Sequence, residues 1–334
     1  MSDVLEELRP SDFVESAARA VEACAGLPLA GQARRLAEDG LIGILAPEAS
    51  GGLGLGLPFA AAVATQAGAR LLGFPIVESI VAAHCLAQEA PAIAGEIVSG
   101  AAIATVAWSG EAARGADGNV EGTVGRAPWA RHARYLLVRL PGGAAGLIDL
   151  SASEAGFTDG VELDLDRPLD TVAFPPRTRL ICELPPESWT SILRHSRALH
   201  AALVLGSSET CHDLARAYVT ERVQFGKPLV ANQAIRHMLA RQKLGLEGMR
   251  EAINWCARDV GAEHRISAET ALLAAAQEGI RIIESSIQMF GGMGYTWEIP
   301  LHRHLKRVRT IWSESEVDDV REHVFERLRA ATGR

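Results

Sequence analysis

The stretch RVQFGKPL, residues 222–229, follows a long helical-looking run and decides how the chain is read. It joins a permanently charged Arg222, the amide of Gln224 and the ring of Phe225 to Gly226 and Pro228 within eight residues. A plain connecting loop does not need an aromatic ring there, and a plain helix does not need Gly and Pro so close together. A second unusual stretch, QMFGGMGY, residues 288–295, ends another helical run. Taken alone, Gly291 and Gly292 would be a helix C-cap and Phe225 an apolar plug in a turn. Taken together, the two stretches supply a guanidinium suited to phosphate oxygens, two amides (Gln224 and Gln288), a flat ring and an unobstructed glycine backbone. That set suits a dinucleotide. No GxGxxG follows a strand, so a Rossmann site is not expected.

Working outward, the chain has three textures. Residues 1–103 are rich in Ala and Leu at helical spacing; SDFVESAARAVEAC (11–24) carries apolar residues at Phe13, Ala17, Val21 and Cys24, with Ser11 as the expected cap. Residues 104–184 hold short β-branched runs such as RYLLVRL, AGLIDL and TRLICEL separated by Gly/Pro turns, which predicts a small β-barrel or sandwich. From 185 to 334, three apolar stripes at helical period run through Trp189–Leu214, Ile235–Cys256 and Ile266–Ile287, and a last helix starts near Pro300. Long amphipathic helices with short connections predict an antiparallel four-helix bundle. The fold class is therefore α+β, mostly α: an N-terminal helical domain, a β-barrel-like middle and a C-terminal bundle.

Composition narrows the function. With 334 residues, a net charge of −8 and 48% hydrophobic residues, the chain suits a soluble globular enzyme and not a nucleic-acid binder. The apolar stretch 59–77 is broken by Gln66, Arg70, Gly73 and Pro75, so no membrane span is expected. The start MSDVLEELRP is too acidic for a secretory signal, and five scattered cysteines without metal spacing read as free thiols, so a cytoplasmic location is expected. His302 and His304 lack a third ligand at metal spacing, and no metal is expected.

The pair ERVQFGKPLVANQAIRHMLA (221–240) and QMFGGMGYTWEIPLHRHLKR (288–307) resembles the acyl-CoA dehydrogenase family. The Gly-rich segment 36–75 and the strand-rich middle extend the resemblance over nearly the whole chain. It implies bound FAD, and a homodimer, a homotetramer or a heterotetramer with a homologous chain. By motif match, Arg222, Gln224, Phe225, Gln288, Gly291 and Gly292 would hold FAD, largely that of a neighbouring subunit. Trp108, Ser109 and Trp129, in TVAWSG and GRAPWARHARYLLV, would lie near the flavin ring. The resemblance further implies an acyl-CoA substrate oxidised at its α,β bond, with electrons passing to an electron-transferring flavoprotein.

The resemblance breaks at the catalytic base. An ungapped count puts the family's usual Glu at Ser315, flanked by Glu314 and Glu316, and the alternative position at Ser196, where no carboxylate is near. Arg197 matches an arginine that would sit near the thioester. Two readings follow: a working dehydrogenase using Glu314 or Glu316, or a catalytically silent subunit, similar to shortened chains of heteromeric steroid side-chain acyl-CoA dehydrogenases, active only with a homologous partner.

Overall fold

The computed structural model describes residues 8–115, 118–160, 163–258 and 266–332. They form two compact units, Met1–Val63 with Leu72–Ser196, and Ala64–Leu71 with Arg197–Arg334.

The first unit opens with helices α1 (Pro10–Ala23), α2 (Leu29–Glu38), most of α3 (Leu57–Ala69), α4 (Ile76–Leu86) and α5 (Pro91–Val98). α1 starts one residue before the expected Ser11 cap. Arg9 is its N-cap, and the Arg9 N–H donates to the Asp12 carboxylate at 2.8 Å. Proline at N1 costs no hydrogen bond, so the helix enters at Pro10.

The strands of this unit make two open four-stranded sheets. In the first, β1 (Ala104–Val106) pairs in parallel with β4 (Tyr135–Arg139), and antiparallel β5 (Ala145–Asp149) and β8 (Cys182–Leu184) follow. In the second, the order is β2 (Ala113–Arg114), β3 (Asn119–Pro128), β7 (Leu169–Arg179), β6 (Gly156–Asp159), all antiparallel. Among the described residues neither sheet closes on itself, so the barrel option gives way to two open sheets. The register of β3 on β7 shifts twice, between Val120 and Gly122 and between Val124 and Ala127. Such bulges bend the strand and increase its local twist.

The second unit is helical: α6 (Ser188–Glu221, from Arg197 onward), α7 (Gln233–Ala257), α8 (Ala268–Phe290), α9 (Leu301–Glu314) and α10 (Val317–Thr332). α8 is its centre; Leu272, Ala276, Ile283, Ile287 and Phe290 are all buried on it. The side chain of Ser267 caps α8 by accepting from the Thr270 N–H at 3.2 Å. The single last helix expected after Pro300 is two helices, because Glu316 has a left-handed φ of 51° that a continuing helix does not allow. The five cysteines are free thiols. Among the described residues no helix is long and apolar enough to cross a membrane.

Candidate functional site

The RVQFGKPL stretch folds as a two-residue hairpin between α6 and α7. β9 (Val223–Gln224) pairs with β10 (Lys227–Pro228), and the Leu229 N–H donates to the Arg222 carbonyl at 2.9 Å. Its two turn residues, Phe225 (φ 54°) and Gly226 (φ 77°), both adopt the left-handed conformation that such a tight turn demands. Glycine takes it freely. Phe225 does so at a cost of order 1–2 kcal/mol. The ring gains nothing in return within the chain, since Phe225 is 96% exposed. Arg222 and Gln224 are exposed beside it. The described residues offer Arg222 no side-chain hydrogen bond or ion pair.

The second stretch begins where α8 ends. Gly291 combines φ 63° with ψ −138°, a region only glycine occupies without strain, and the chain then turns through Gly291–Tyr295. A Cβ added at Gly291 or Gly292 would meet nothing within 4 Å, so this backbone faces open space. Gln288 is exposed on the last turn of α8. Beyond the glycines, Tyr295 and Trp297 are 73% and 70% exposed. The two stretches share a root: the rings of Tyr218 and Phe290 stack at 4.2 Å, one turn before Arg222 and directly before Gly291. The two stretches are thus rooted on one aromatic pair and exposed, and the one side-chain hydrogen bond given for Gln224 is local, from its amide to the Val223 carbonyl at 2.8 Å. This fits a large, flat, anionic ligand approached by backbone and guanidinium.

The candidates in the β-rich unit are engaged differently. Trp108 is buried, and its indole N–H donates to Glu78 Oε1 at 3.1 Å. The guanidinium of Arg167 donates to the same oxygen at 2.6 Å, so this buried carboxylate is held from two sides. Ser109 forms an antiparallel bridge with Gly125, exchanging hydrogen bonds of 3.1 and 2.9 Å. Trp129 is half-buried, stands at φ 56°, and donates from its indole to the Gly73 carbonyl at 2.7 Å.

The acid candidates part company at the α9–α10 junction. Glu314, the last residue of α9, is 1% exposed with Oε1 3.4 Å from His200 Nε2. Ser315 Oγ lies 3.0 Å from His200 Nδ1. Glu316 is exposed. Arg197 donates to Glu269 Oε1 at 2.7 Å; burial lowers its pKa, and the charges of Glu269 and Glu316 work against that shift. Ser196, the other counted position, is buried and donates to the Leu193 carbonyl at 3.1 Å. Sequence reasoning passed over His200, Glu78 and Arg167. His200 stands four residues after Ser196, one helical turn on, and that spacing was the available signal.

Residues 187–312 match the profile of the acyl-CoA dehydrogenase C-terminal domain. Acyl-CoA dehydrogenase FadE34 of Mycobacterium tuberculosis is 28% identical over 281 residues, 83% of this chain and 39% of that protein. The chain therefore spans about two fifths of that curated relative. Among solved structures, a chain of a Tcur3481–Tcur3483 steroid ACAD variant aligns with TM-score 0.86 at 22% identity, covering 97% of this chain and 99% of that one. A chain of the ChsE4–ChsE5 complex of Mycobacterium tuberculosis aligns with TM-score 0.85 at 22% identity, covering 96% of each. At these identities the structural likeness establishes the fold.

Proposed function

We propose that this chain, whose residues 187–312 match the acyl-CoA dehydrogenase C-terminal domain, is an FAD-holding subunit of an assembly that oxidises an acyl-CoA thioester at its α,β bond. The observation that carries this reading is Phe225: a 96% exposed ring on a strained backbone, in a chain whose other motif ends in the open glycines 291 and 292. A fold does not keep such a residue for its own stability. Arg222 would bind the diphosphate, Phe225 would cover the adenosine half, and Gln224, Gln288, Gly291 and Gly292 would complete the cradle, chiefly for a neighbour's cofactor. Trp108, Ser109 and Trp129 would border the flavin ring. When bound, FAD would supply the two-electron acceptor for the hydride leaving the β-carbon.

The neighbouring subunit would be a second copy or a homologous chain, and the structural likeness to chains of the two heteromeric complexes supports the second. We take a steroid acyl group as its substrate class, after the steroid ACAD neighbour, and an electron-transferring flavoprotein as the acceptor that the family resemblance implies. Arg197 would orient the thioester from α6. A silent-subunit reading draws on one specific observation: of the two flanking carboxylates, Glu316 points to solvent and Glu314 is buried against His200.

The test is the purified chain, alone and with any co-encoded homologue. Flavin absorbance should appear in the assembled form and fall with dilution into monomers. Arg222→Ala should weaken FAD retention roughly 10- to 150-fold, the equivalent of a charge-assisted phosphate contact of about 1.5–3 kcal/mol. Unchanged flavin content in that variant, or a monomer that keeps full flavin in light scattering, would sink the assignment.

A further inference from the structure

We propose that His200, through the hydroxyl of Ser315 and backed by Glu314, is the proton acceptor of this chain. The inference rests on the acyl-CoA reading above and deepens it. Ser315 Oγ and His200 Nδ1 share a hydrogen bond of 3.0 Å, and on the far side of the ring His200 Nε2 approaches Glu314 Oε1 to 3.4 Å without a hydrogen bond between them. For a proton to pass from the Ser315 hydroxyl, the Nδ1 lone pair must accept it, which places the ring proton of the neutral imidazole on Nε2.

The burial gradient gives the chain a direction. His200 and Glu314 are each 1% exposed, whereas Ser315 is half-buried at the α9–α10 junction, where α9 stops. The hydroxyl is therefore the end a substrate can reach. His200 comes from α6, Glu314 from the end of α9 and Ser315 from the cap that follows it, and Ser315 and His200 are 115 residues apart in the chain.

The step balances without a further reactant. The α C–H bond breaks and its electron pair stays on the substrate as an enolate. The proton goes to Ser315 Oγ as the Ser315 proton passes to His200 Nδ1. In this chain Ser315 is the group that touches the substrate; His200 and Glu314 act through it. Glu316 takes no part.

The experiment uses the flavin-loaded assembly and 3,3-dimethylbutanoyl-CoA, which has α-hydrogens but no β-hydrogen to transfer. Deuterium entering the α-carbon from D2O is followed by mass spectrometry. The wild type should exchange. His200→Gln and Ser315→Ala should lose about 10²–10⁴-fold, the range for a removed general base. A loss in Glu316→Gln as large as that in His200→Gln overturns the relay in favour of that carboxylate. Ring-15N NMR of histidine-labelled protein should show His200 protonated at Nε2, and Glu314→Gln should disturb that tautomer while the rest of the spectrum is kept. Exchange unchanged in His200→Gln overturns the relay and leaves the FAD reading intact. No exchange by the flavin-loaded wild type also overturns it and leaves this chain a cofactor-supporting subunit. Release of free CoA thiol at the rate of exchange overturns it in favour of acyl transfer to Ser315. An assembly without flavin instead defeats the reading on which the relay rests.

Discussion

Gly206 is the position where one methyl group should do most damage. It lies on α6, against the end of α3, inside the helical unit. A Cβ there would fall on the Thr65 carbonyl oxygen, well inside van der Waals contact, and 2.9 Å from the Ala69 amide nitrogen. The obstruction is backbone, so no rotamer change relieves it. Gly68 on α3 is in the reciprocal position against the Leu203 carbonyl. The two helices are also stitched there by Ser207 Oγ to the Gly68 carbonyl at 3.0 Å and Thr210 Oγ1 to the Ala69 carbonyl at 3.1 Å. Gly206→Ala gains about 1 kcal/mol of helix propensity. Forcing the helices apart costs about 3 kcal/mol, the upper end of measured overpacking. The net is a loss of about 2 kcal/mol, or roughly 4–8 °C in Tm for a unit of this size. Gly248 on α7 supplies the opposite case, because a Cβ there meets nothing within 4 Å. Gly248→Ala should gain about 1 kcal/mol and raise Tm by roughly 2–4 °C. Circular-dichroism melts of the two variants decide the matter. A Gly206→Ala protein that melts at or above the wild type would refute the close crossing.

Three further outcomes follow from the same geometry. Phe225→Asn should leave the Tm of the isolated chain unchanged or higher, since Asn tolerates the left-handed turn and no buried contact is lost, while sedimentation shows weaker assembly. Burial pushes the His195 imidazole from its ordinary 6.5 down to about 4, against the opposing hydrogen bond to the Ser191 carbonyl. The unfolded chain thus binds the extra proton between those values; the His195 contribution is complete above pH 6.5 and lost as pH falls toward 4. Urea midpoints should drop over that window by up to about 1.4 kcal/mol per pH unit, and His195→Gln should flatten the drop. Glu269→Gln should cost about 3 kcal/mol in urea unfolding, because it strands the largely buried Arg197, whereas Arg327→Ala at 64% exposure should cost under about 1 kcal/mol.

The helical stripes were legible because period 3.6 is a local property. Leu199, Leu203, Leu246, Ile253, Ile280 and Ile287 are buried as their spacing demands, while Leu214 and Ile235, at stripe ends, are only half-buried. The α8 terminus was legible for the same reason, since a glycine at Gly291 states its own backbone requirement. Sheet order was not legible. The parallel pairing of Ala104 with Tyr135 is a long-range contact that neither run encodes alone. The split between α9 and α10 was hidden because Glu316 carries no signal for a left-handed conformation. His200 read as one more residue on an apolar helix face, and only the arrival of Ser315 and Glu314 on it gives it a chemical meaning.

Burial sorts the candidate residues by what they answer to. Trp108, Trp129, Arg197 and Glu314 each have a partner inside the chain at 3.4 Å or less, so their side chains are oriented before any ligand arrives. Such preorganisation is what a catalytic or ring-contacting position needs, because orientation is then not bought during the reaction. Arg222, Gln224, Phe225 and Gln288 are exposed, and the ring of Phe225 would give up about 1.5–3 kcal/mol of available burial if nothing ever covered it. The hairpin adds backbone strain to that deficit. Neither cost is recovered within the fold, so both point outward, to a ligand and a second chain that cover the same few residues together. Cofactor retention and assembly should therefore be lost together when that hairpin is altered, while the fold and the His200 contacts, which lie within the helical unit and do not involve the hairpin, survive.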